Sequence, residues 1–415
     1  MDTVELPQSA EVVILGGGIH GVGILHDLLS RGVQNVVLFE KGDLGAGTSR
    51  KSTKLIHGGL RYLKRLSDFG LVREALRERE LLLNIAPDLV QPVELLFPIL
   101  RGGGERGWVV KIGLSLYDRL SGSQGISKHK YIPIQAALEK VPILETSQVK
   151  SVYSFWDGQT DDLALVHRVA ASALKLGGNI FCGSSVEKLN HSERGWEVKI
   201  VRNGVIHCIY ARYIVNALGP WSNQLLEQSG ISVPFQAINN KGVHLILPDL
   251  GLKAGLFLQS PEDGRIFFLL PWLEKTLLGT TEELYTGDPS QVIANEQDVE
   301  YLLTKCNRYL SREIKPAQVE ESFAGLRWLV VDRTGHISKT SREYQVGVTN
   351  KGKHQLLTLY GGKLTSYRAL AEKIGDRVAQ YLGVQCPSRT TDPQMWVKNN
   401  TSLPHLSSLK ARFKA

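Results

Sequence analysis

Residues 11–40 read EVVILGGGIHGVGILHDLLSRGVQNVVLFE, and the fold is decided within them. Glu11 to Leu15 is a short, β-branched apolar run of the kind that forms a buried parallel strand. It passes directly into Gly16-Gly17-Gly18-Ile19-His20-Gly21, a G-x-G-x-x-G pattern. Ile24, Leu25, Leu28 and Leu29 then recur at helical spacing, and Gly32 is placed to end the helix. A second apolar run, Val36 to Phe39, closes on Glu40, which lies 22 residues after Gly18.

Each part has a physical role in holding a dinucleotide. Gly16 permits a tight turn, Gly18 leaves room for a diphosphate against the backbone, and Gly21 allows the helix to pack closely on the strand. The helix start offers free N–H groups and a partial positive charge. Glu40 stands where an acid about 20 residues on would bond a ribose hydroxyl. The motif does not distinguish FAD from NAD.

The whole chain of 415 residues is 42% hydrophobic and 22% charged, ordinary for a globular protein, and long enough for two lobes. Its first residues lack a basic segment followed by an apolar one, so a cytoplasmic location is expected. Cys182, Cys208, Cys306 and Cys386 are scattered without a C-x-x-C pair, so no metal site is expected. The formal net charge of +8 favours anionic partners. No nucleic-acid signature accompanies it, and nucleic acid is not expected.

Residues 70–86 carry Leu71, Val72, Ala75, Leu76, Leu82, Leu83 and Ala86 along one helical face, with Pro87 as the stop. The basic residues of this helix are read as a solvated face. Before it lies KLIHGGLRYLKR, residues 54–65, which by composition alone is a basic surface segment.

Its context changes that reading. The run Gly47-Thr48-Ser49, then Ser52, then Lys54 to Leu63, resembles the FAD-dependent glycerol-3-phosphate dehydrogenases of the aerobic respiratory type. The resemblance continues through FGLVREALRERELLLNIAPDLV (69–90), IGLSLYDRL (112–120), TDDLALV (160–166), VNALGPW (215–221) and NKGVHLILP (240–248). It recurs in LLGTTEE (277–283), GLRWL (325–329), TSREY (340–344) and LYGGKLTSYRALAEK (359–373). Family members usually extend into a helical C-terminal domain, whereas this sequence stops at Ala415 after a polar tail. The stretch between Trp328 and Arg342 is also shorter than usual.

The resemblance implies an α/β fold, α+β overall. An FAD-binding Rossmann-like lobe is interleaved with a mixed-sheet substrate lobe, in the manner of D-amino-acid oxidase. Residues 1–87, 155–230 and 340–385 would form the FAD lobe, 88–154 and 231–339 the substrate lobe, and 386–415 a tail. FAD contacts are implied for Gly16, Gly18, Ile19, Gly21, Glu40, Lys41, Thr48, Ser49, Ser52, Lys54, Leu55, His57, Gly58, Gly59, Val186, Gly219, Gly362, Lys363 and Leu364. Of these, the glycines at 58 and 59 are expected to let the backbone approach the flavin ring.

The implied reaction is oxidation of sn-glycerol 3-phosphate to dihydroxyacetone phosphate, with electrons passed to a quinone and peripheral contact with a membrane. Arg327 and Arg342 are expected to hold the phosphate, because a guanidinium fork meets two oxygens at once. Arg61 and Tyr62 would orient the substrate, and His244 is the first candidate for the base, with Lys241 second and otherwise a substrate ligand. Lys363 and Thr365 would favour the reduced ring. An oxidase passing electrons to oxygen, and an FAD-binding scaffold without turnover, remain alternatives.

Overall fold

A computed structural model describes residues 5–64, 68–102, 106–122, 125–331 and 344–398. The chain forms two compact units. The first comprises Met1–Arg50, Asp161–Asn239 and Trp328–Ala415, and the second Lys51–Thr160 and Asn240–Arg327.

In the first unit the quoted stretch folds as expected. Ser9–Leu15 and Val36–Phe39 are neighbouring parallel strands joined by the helix Ile19–Ser30. The sheet extends in parallel from Ser9–Leu15 to Val205–Asn216 and then His354–Tyr360, and from Val36–Phe39 to Asn179–Phe181. Parallel strands at the centre of a sheet are covered on both faces, which is why residues 12–15 and Val36–Phe39 are continuous apolar runs. Gly32, at φ +81°, ends the helix, and the Val33 N–H returns to the Leu28 carbonyl at 3.0 Å.

The helix Tyr367–Leu382 packs on Ile19–Ser30 without room for side chains at the crossing. A Cβ on Gly23 would lie 2.9 Å from the Tyr367 ring, and one on Gly375 would lie 1.8 Å from the Asp27 carboxylate. Buried Asp27 pairs with Arg31 at 2.6 Å, and Arg31 reaches Asp376 at 2.8 Å and the Cys386 carbonyl at 3.2 Å.

Residues from 386 onward were expected to be a polar tail, and for 386–398 this is corrected. Ser388 donates to Asp27 at 2.5 Å, and buried Trp396 donates to the Thr390 carbonyl at 2.9 Å. His26 bonds the Met395 carbonyl at 2.9 Å and meets the Trp396 ring edge-on. Residues 399–415 lie outside the described residues.

Burial lowers the pKa of His26 to about 4. Between about 6.5 and 4 the unfolded chain therefore binds more protons than the folded one, and stability falls as pH falls through that window. The expected loss is roughly 2 kcal/mol at about pH 5 from this group. Thermal melts at pH 7 and pH 5 check this: His26→Gln should lose less on acidification than the native chain. An identical acid sensitivity would remove His26 from the account.

The second unit is built on a ten-stranded mixed sheet among the described residues. Along its main path Glu283–Tyr285 is followed by Ala237–Pro248, Lys275–Gly279, Ile266–Trp272, Gly255–Gln259, Val90–Leu100, Val149–Thr160 and Leu55–Ile56. Successive strand residues feed opposite faces. Leu96, Leu245, Leu269 and Leu278 enter one core, which also holds Leu302 and Leu303 of the helix Glu296–Asn307. Leu95, Ile246, Leu270 and Leu277 enter the other, with Leu76 of Phe69–Ile85 and Leu114 of Gly107–Ser121.

Two boundary expectations are corrected here. Residues 51–87 belong to the second unit rather than the dinucleotide lobe, because Leu55 and Ile56 pair with Gln159 and Gly158. Residues 155–160 follow for the same reason, as the end of the long strand Val149–Thr160.

Candidate active site

In the first unit the glycines of the opening motif are demanded by the chain itself. Gly16 has φ +104°, and a Cβ there would lie 2.7 Å from the Ala217 carbonyl oxygen. On Gly21 a Cβ would lie 1.9 Å from the Gly16 oxygen, and on Gly17 2.6 Å from Leu44. Gly18 differs: its backbone is ordinary, and a Cβ would meet only the Ser49 hydroxyl, at 3.2 Å.

Gly18 caps Ile19–Ser30 without a side-chain cap, and no acid stands in the first turn. The Ile19 N–H donates to Ser49 Oγ at 2.9 Å. Glu40 accepts the Gly17 N–H at 2.6 Å and the Gly42 N–H at 2.9 Å, which holds its carboxylate at the end of the second strand. Lys41 Nζ sits 4.0 Å over the Trp221 ring, two residues after Gly219, whose φ is +59°. Thr48 precedes the short 3-10 turn Ser49–Lys51. Val186 lies at a register shift in Ser184–Ser192, whose first N–H donates to the Glu40 carbonyl at 2.9 Å.

Gly362 has φ +97°, and a Cβ there would lie 2.5 Å from the His20 ring. His20 bonds the Lys363 backbone and is pushed down to about 4 by burial, so it is neutral. Leu364 and buried Thr365 follow before the helix starts. His20 is not among the expected residues, though it seats the 362–363 turn; its place inside the glycine motif is the available signal. A glycine cradle closed to side chains, an uncapped helix start free of acids and a fixed carboxylate suit a dinucleotide.

In the second unit His244 lies on Ala237–Pro248, opposite Gly279. A Cβ at 279 would lie 2.1 Å from its ring, so the glycine makes the space the imidazole fills. Phe323 stacks on the ring at 5.0 Å, and Nε2 is 2.9 Å from Thr53 Oγ1. Nδ1 is buried with no hydrogen-bond partner among the described residues. Burial, then the charges of Arg327 and Lys54, hold the His244 pKa well below its usual value.

Arg327 donates to Asn240 Oδ1 at 3.1 Å, to the Thr281 carbonyl at 3.4 Å and to Thr280 Oγ1 at 3.2 Å. Arg61, in the 3-10 turn Leu60–Lys64, donates to Glu282 Oε1 at 3.1 Å, and the same oxygen is 4.0 Å from Arg327. Lys54, buried at φ +60°, holds its ammonium between the rings of Trp272 and Phe323, at 5.6 and 5.4 Å. Arg327 and Lys54 thus set positive charge around a neutral His244, and Glu282 is the carboxylate that Arg327 shares with Arg61. Thr53 and Glu282 are not among the expected residues.

Three expectations change, those for Lys241, Tyr62 and Leu55. Lys241 is neither base nor phosphate ligand: three residues from His244 on a strand, it points to the opposite face. There it binds Asp298 at 2.9 Å and Glu283 at 2.8 Å. Burial opposes its charge, but the two carboxylates prevail and raise its pKa. Tyr62 is a core residue, its hydroxyl accepting from Arg61 at 3.4 Å. Leu55 is likewise core.

Gly58 and Gly59 are explained by packing within the unit. A Cβ on Gly58 would lie 2.4 Å from Leu76, and one on Gly59 2.4 Å from the Tyr62 ring. The Ser52 hydroxyl accepts the Lys54 N–H at 3.0 Å, while His57 lies half-buried in the turn after Leu55–Ile56. Arg342 lies outside the described residues.

The parallel sheet with its dinucleotide cradle, and a second sheet carrying a neutral histidine among cations, define a two-lobed nucleotide-dependent oxidoreductase. The chain belongs to the FAD dependent oxidoreductase (DAO) family, which it matches over residues 11–368. It is 36% identical over 373 residues to the D-erythritol 1-phosphate dehydrogenase of Brucella abortus, covering 88% of this chain and 73% of that protein. It is 34% identical over 409 residues to the glycerol-3-phosphate dehydrogenase of Pseudomonas tolaasii, covering 97% and 78%. The solved glycerol-3-phosphate dehydrogenase of Bacillus halodurans, complexed with FAD, superposes with a TM-score of 0.75 at 27% identity, covering 98% of this chain and 71% of that one. The family resemblance and the fold expected from it are borne out, and the protein is an FAD-dependent oxidoreductase.

Proposed function

We propose that the protein oxidises sn-glycerol 3-phosphate at C2 to dihydroxyacetone phosphate and delivers the electrons to a quinone. The observation that supports this best is the group in the second unit: Arg327 for a phosphate dianion and Arg61 for the substrate hydroxyls, with a buried neutral imidazole beside Arg327.

Arg327 binds the phosphate with a guanidinium already oriented by Asn240, Thr280 and Thr281. Arg61 directs the substrate hydroxyls, and Arg342 is assigned with Arg327 to the phosphate on the family resemblance alone. His244 takes the C2 hydroxyl proton at Nδ1, while Thr53 fixes the ring through Nε2. Bound FAD supplies the acceptor for the hydride lost from C2, with Lys363 and Thr365 favouring negative charge on the ring. Gly16, Gly18, Ile19, Gly21 and Glu40 hold the dinucleotide, together with Lys41, Thr48, Ser49, Val186, Gly219, Gly362 and Leu364.

Among the described residues no helix is long and apolar enough to cross a membrane. Peripheral contact with the cytoplasmic face of a membrane, where a quinone is reached, completes the proposal and accords with the net charge of +8. Similarity to a D-erythritol 1-phosphate dehydrogenase supports a second reading, in which the substrate is a longer polyol monophosphate.

Anaerobic mixing of the FAD-loaded protein with each phosphate, watching oxidised-flavin absorbance, decides between them. Bleaching by glycerol 3-phosphate at lower concentration than by erythritol phosphate is expected, and no bleaching by either rejects turnover. Reoxidation by a quinone analogue rather than by oxygen with peroxide release is expected; the reverse makes the protein an oxidase.

A further inference from the structure

Two of the sequence blocks, FGLVREALRERELLLNIAPDLV and IGLSLYDRL, contribute nothing to the site above, yet Arg79 of the first and Tyr117 of the second are buried. Arg79, read as part of a solvated helix face, is only 2% exposed. It falls on the stripe of Val72, Ala75, Leu76 and Leu82, which is the buried one. Tyr117, from Gly107–Ser121, is also 2% exposed.

Both converge on buried Asp157 of the strand Val149–Thr160. Asp157 Oδ1 accepts from Tyr117 Oη at 2.6 Å, from Arg79 Nη1 at 2.7 Å and from the Gly58 N–H at 3.3 Å. Arg79 is fixed further by the Trp156 carbonyl at 2.9 Å, Ser121 Oγ at 2.8 Å and Glu80 Oε1 at 3.0 Å. Because the tyrosine O–H is committed to Asp157, its oxygen faces the backbone as an acceptor. The Gly58 N–H donates to it at 2.8 Å.

That contact requires glycine: a Cβ on residue 58 would lie 2.6 Å from Tyr117 Oη. The chain then turns at Gly59, φ +81°, where the Gly59 carbonyl accepts the Tyr62 N–H at 2.9 Å. The 3-10 turn that follows carries Arg61.

We propose that Tyr117, oriented by the Asp157–Arg79 pair, is a positioning residue for Arg61, acting through the Gly58 N–H to fix the backbone from which that arginine projects. The inference rests on the reading of Arg61 as a substrate-orienting group. A buried ion pair is a weak source of net stability, since apolar residues of similar volume often serve as well. Four directional bonds from three elements onto one carboxylate and one amide do what apolar packing does not: they set the turn's height and rotation. Loss of a fraction of an ångström at the arginine lowers turnover without removing any group that touches substrate.

The test pairs Tyr117→Phe, which keeps the ring and deletes the hydroxyl, with Arg61→Ala in a double-mutant cycle on FAD-loaded protein. Tyr117→Phe alone should lower kcat/KM for glycerol 3-phosphate about tenfold, with FAD content unchanged. In the Arg61→Ala background the same change should have no further effect. Hydrogen exchange in a peptide spanning residues 55–63 should speed up in Tyr117→Phe without substrate present, and Asp157→Asn should shift both readings in the same direction.

An equal penalty with and without Arg61 overturns the positioning role, as does unchanged exchange at 55–63. If the native protein is not reduced by any polyol phosphate, the functional reading fails instead, and the exchange measurement still decides whether Tyr117 holds the turn.

Discussion

Replacing His244 by asparagine should slow reduction of bound FAD by glycerol 3-phosphate by about 10²–10⁴-fold, the usual contribution of a positioned general base. Substrate affinity should change by no more than about threefold. The imidazole is held in its neutral form, the one that can accept a proton. It is buried and flanked by Arg327 and Lys54, which disfavour its protonated form. It therefore stays neutral below its usual pKa, with Nδ1 the ring nitrogen that has no partner among the described residues.

The sign of the pH effect follows. At saturating substrate, the reduction rate of the native enzyme should not fall as pH drops through about 6.5, because His244 gains its proton only at lower pH. Stopped-flow traces of flavin bleaching measure both effects. A normal rate in His244→Asn removes the residue as base, and a rate that halves near pH 6.5 removes the depressed pKa.

Arg327→Ala should weaken glycerol 3-phosphate binding by roughly 100-fold, the consequence of losing charge-assisted bonds worth about 2–4 kcal/mol. FAD content should be unchanged, since the dinucleotide cradle belongs to the other unit. Arg327→Lys should recover only part of the affinity. Three acceptors, Asn240 Oδ1, Thr280 Oγ1 and the Thr281 carbonyl, are arranged for a planar fork rather than a point charge. Titration of flavin reduction against substrate concentration gives the comparison. An apparent affinity equal to the native one would take Arg327 out of the phosphate site.

The parts of the protein that are legible in its sequence share a property: their chemistry is local. A buried parallel strand, a glycine turn and an amphipathic helix declare themselves within 30 residues, and each stands where the pattern puts it. Val243 to Leu247 and Ile266 to Leu270, apolar runs bounded by turn residues, are legible as strands for the same reason.

Expectation and structure part where the deciding partner is far away in the chain. Arg79 reads as solvated because Asp157 and Tyr117 are 78 and 38 residues distant; the stripe it shares with Leu76 and Leu82 is the sign of its burial. Lys241 reads as a neighbour of His244 by distance along the chain, whereas strand alternation governs. An odd offset on a strand puts two side chains on opposite faces, and Lys241 meets Asp298 there.

By itself, then, the sequence determined the dinucleotide motif and the family, and named candidates for the chemistry. Steric need for glycine and apolar periodicity act between near neighbours and leave a local trace. The tertiary structure alone decided which of those residues work together. It joined Arg327 to Asn240 and Thr280, placed Thr53 and Gly279 around His244, turned Lys241 away, and set Tyr117 beneath the turn that carries Arg61. Those relations depend on strand register and on which face each side chain takes, and both are fixed only when distant segments pair.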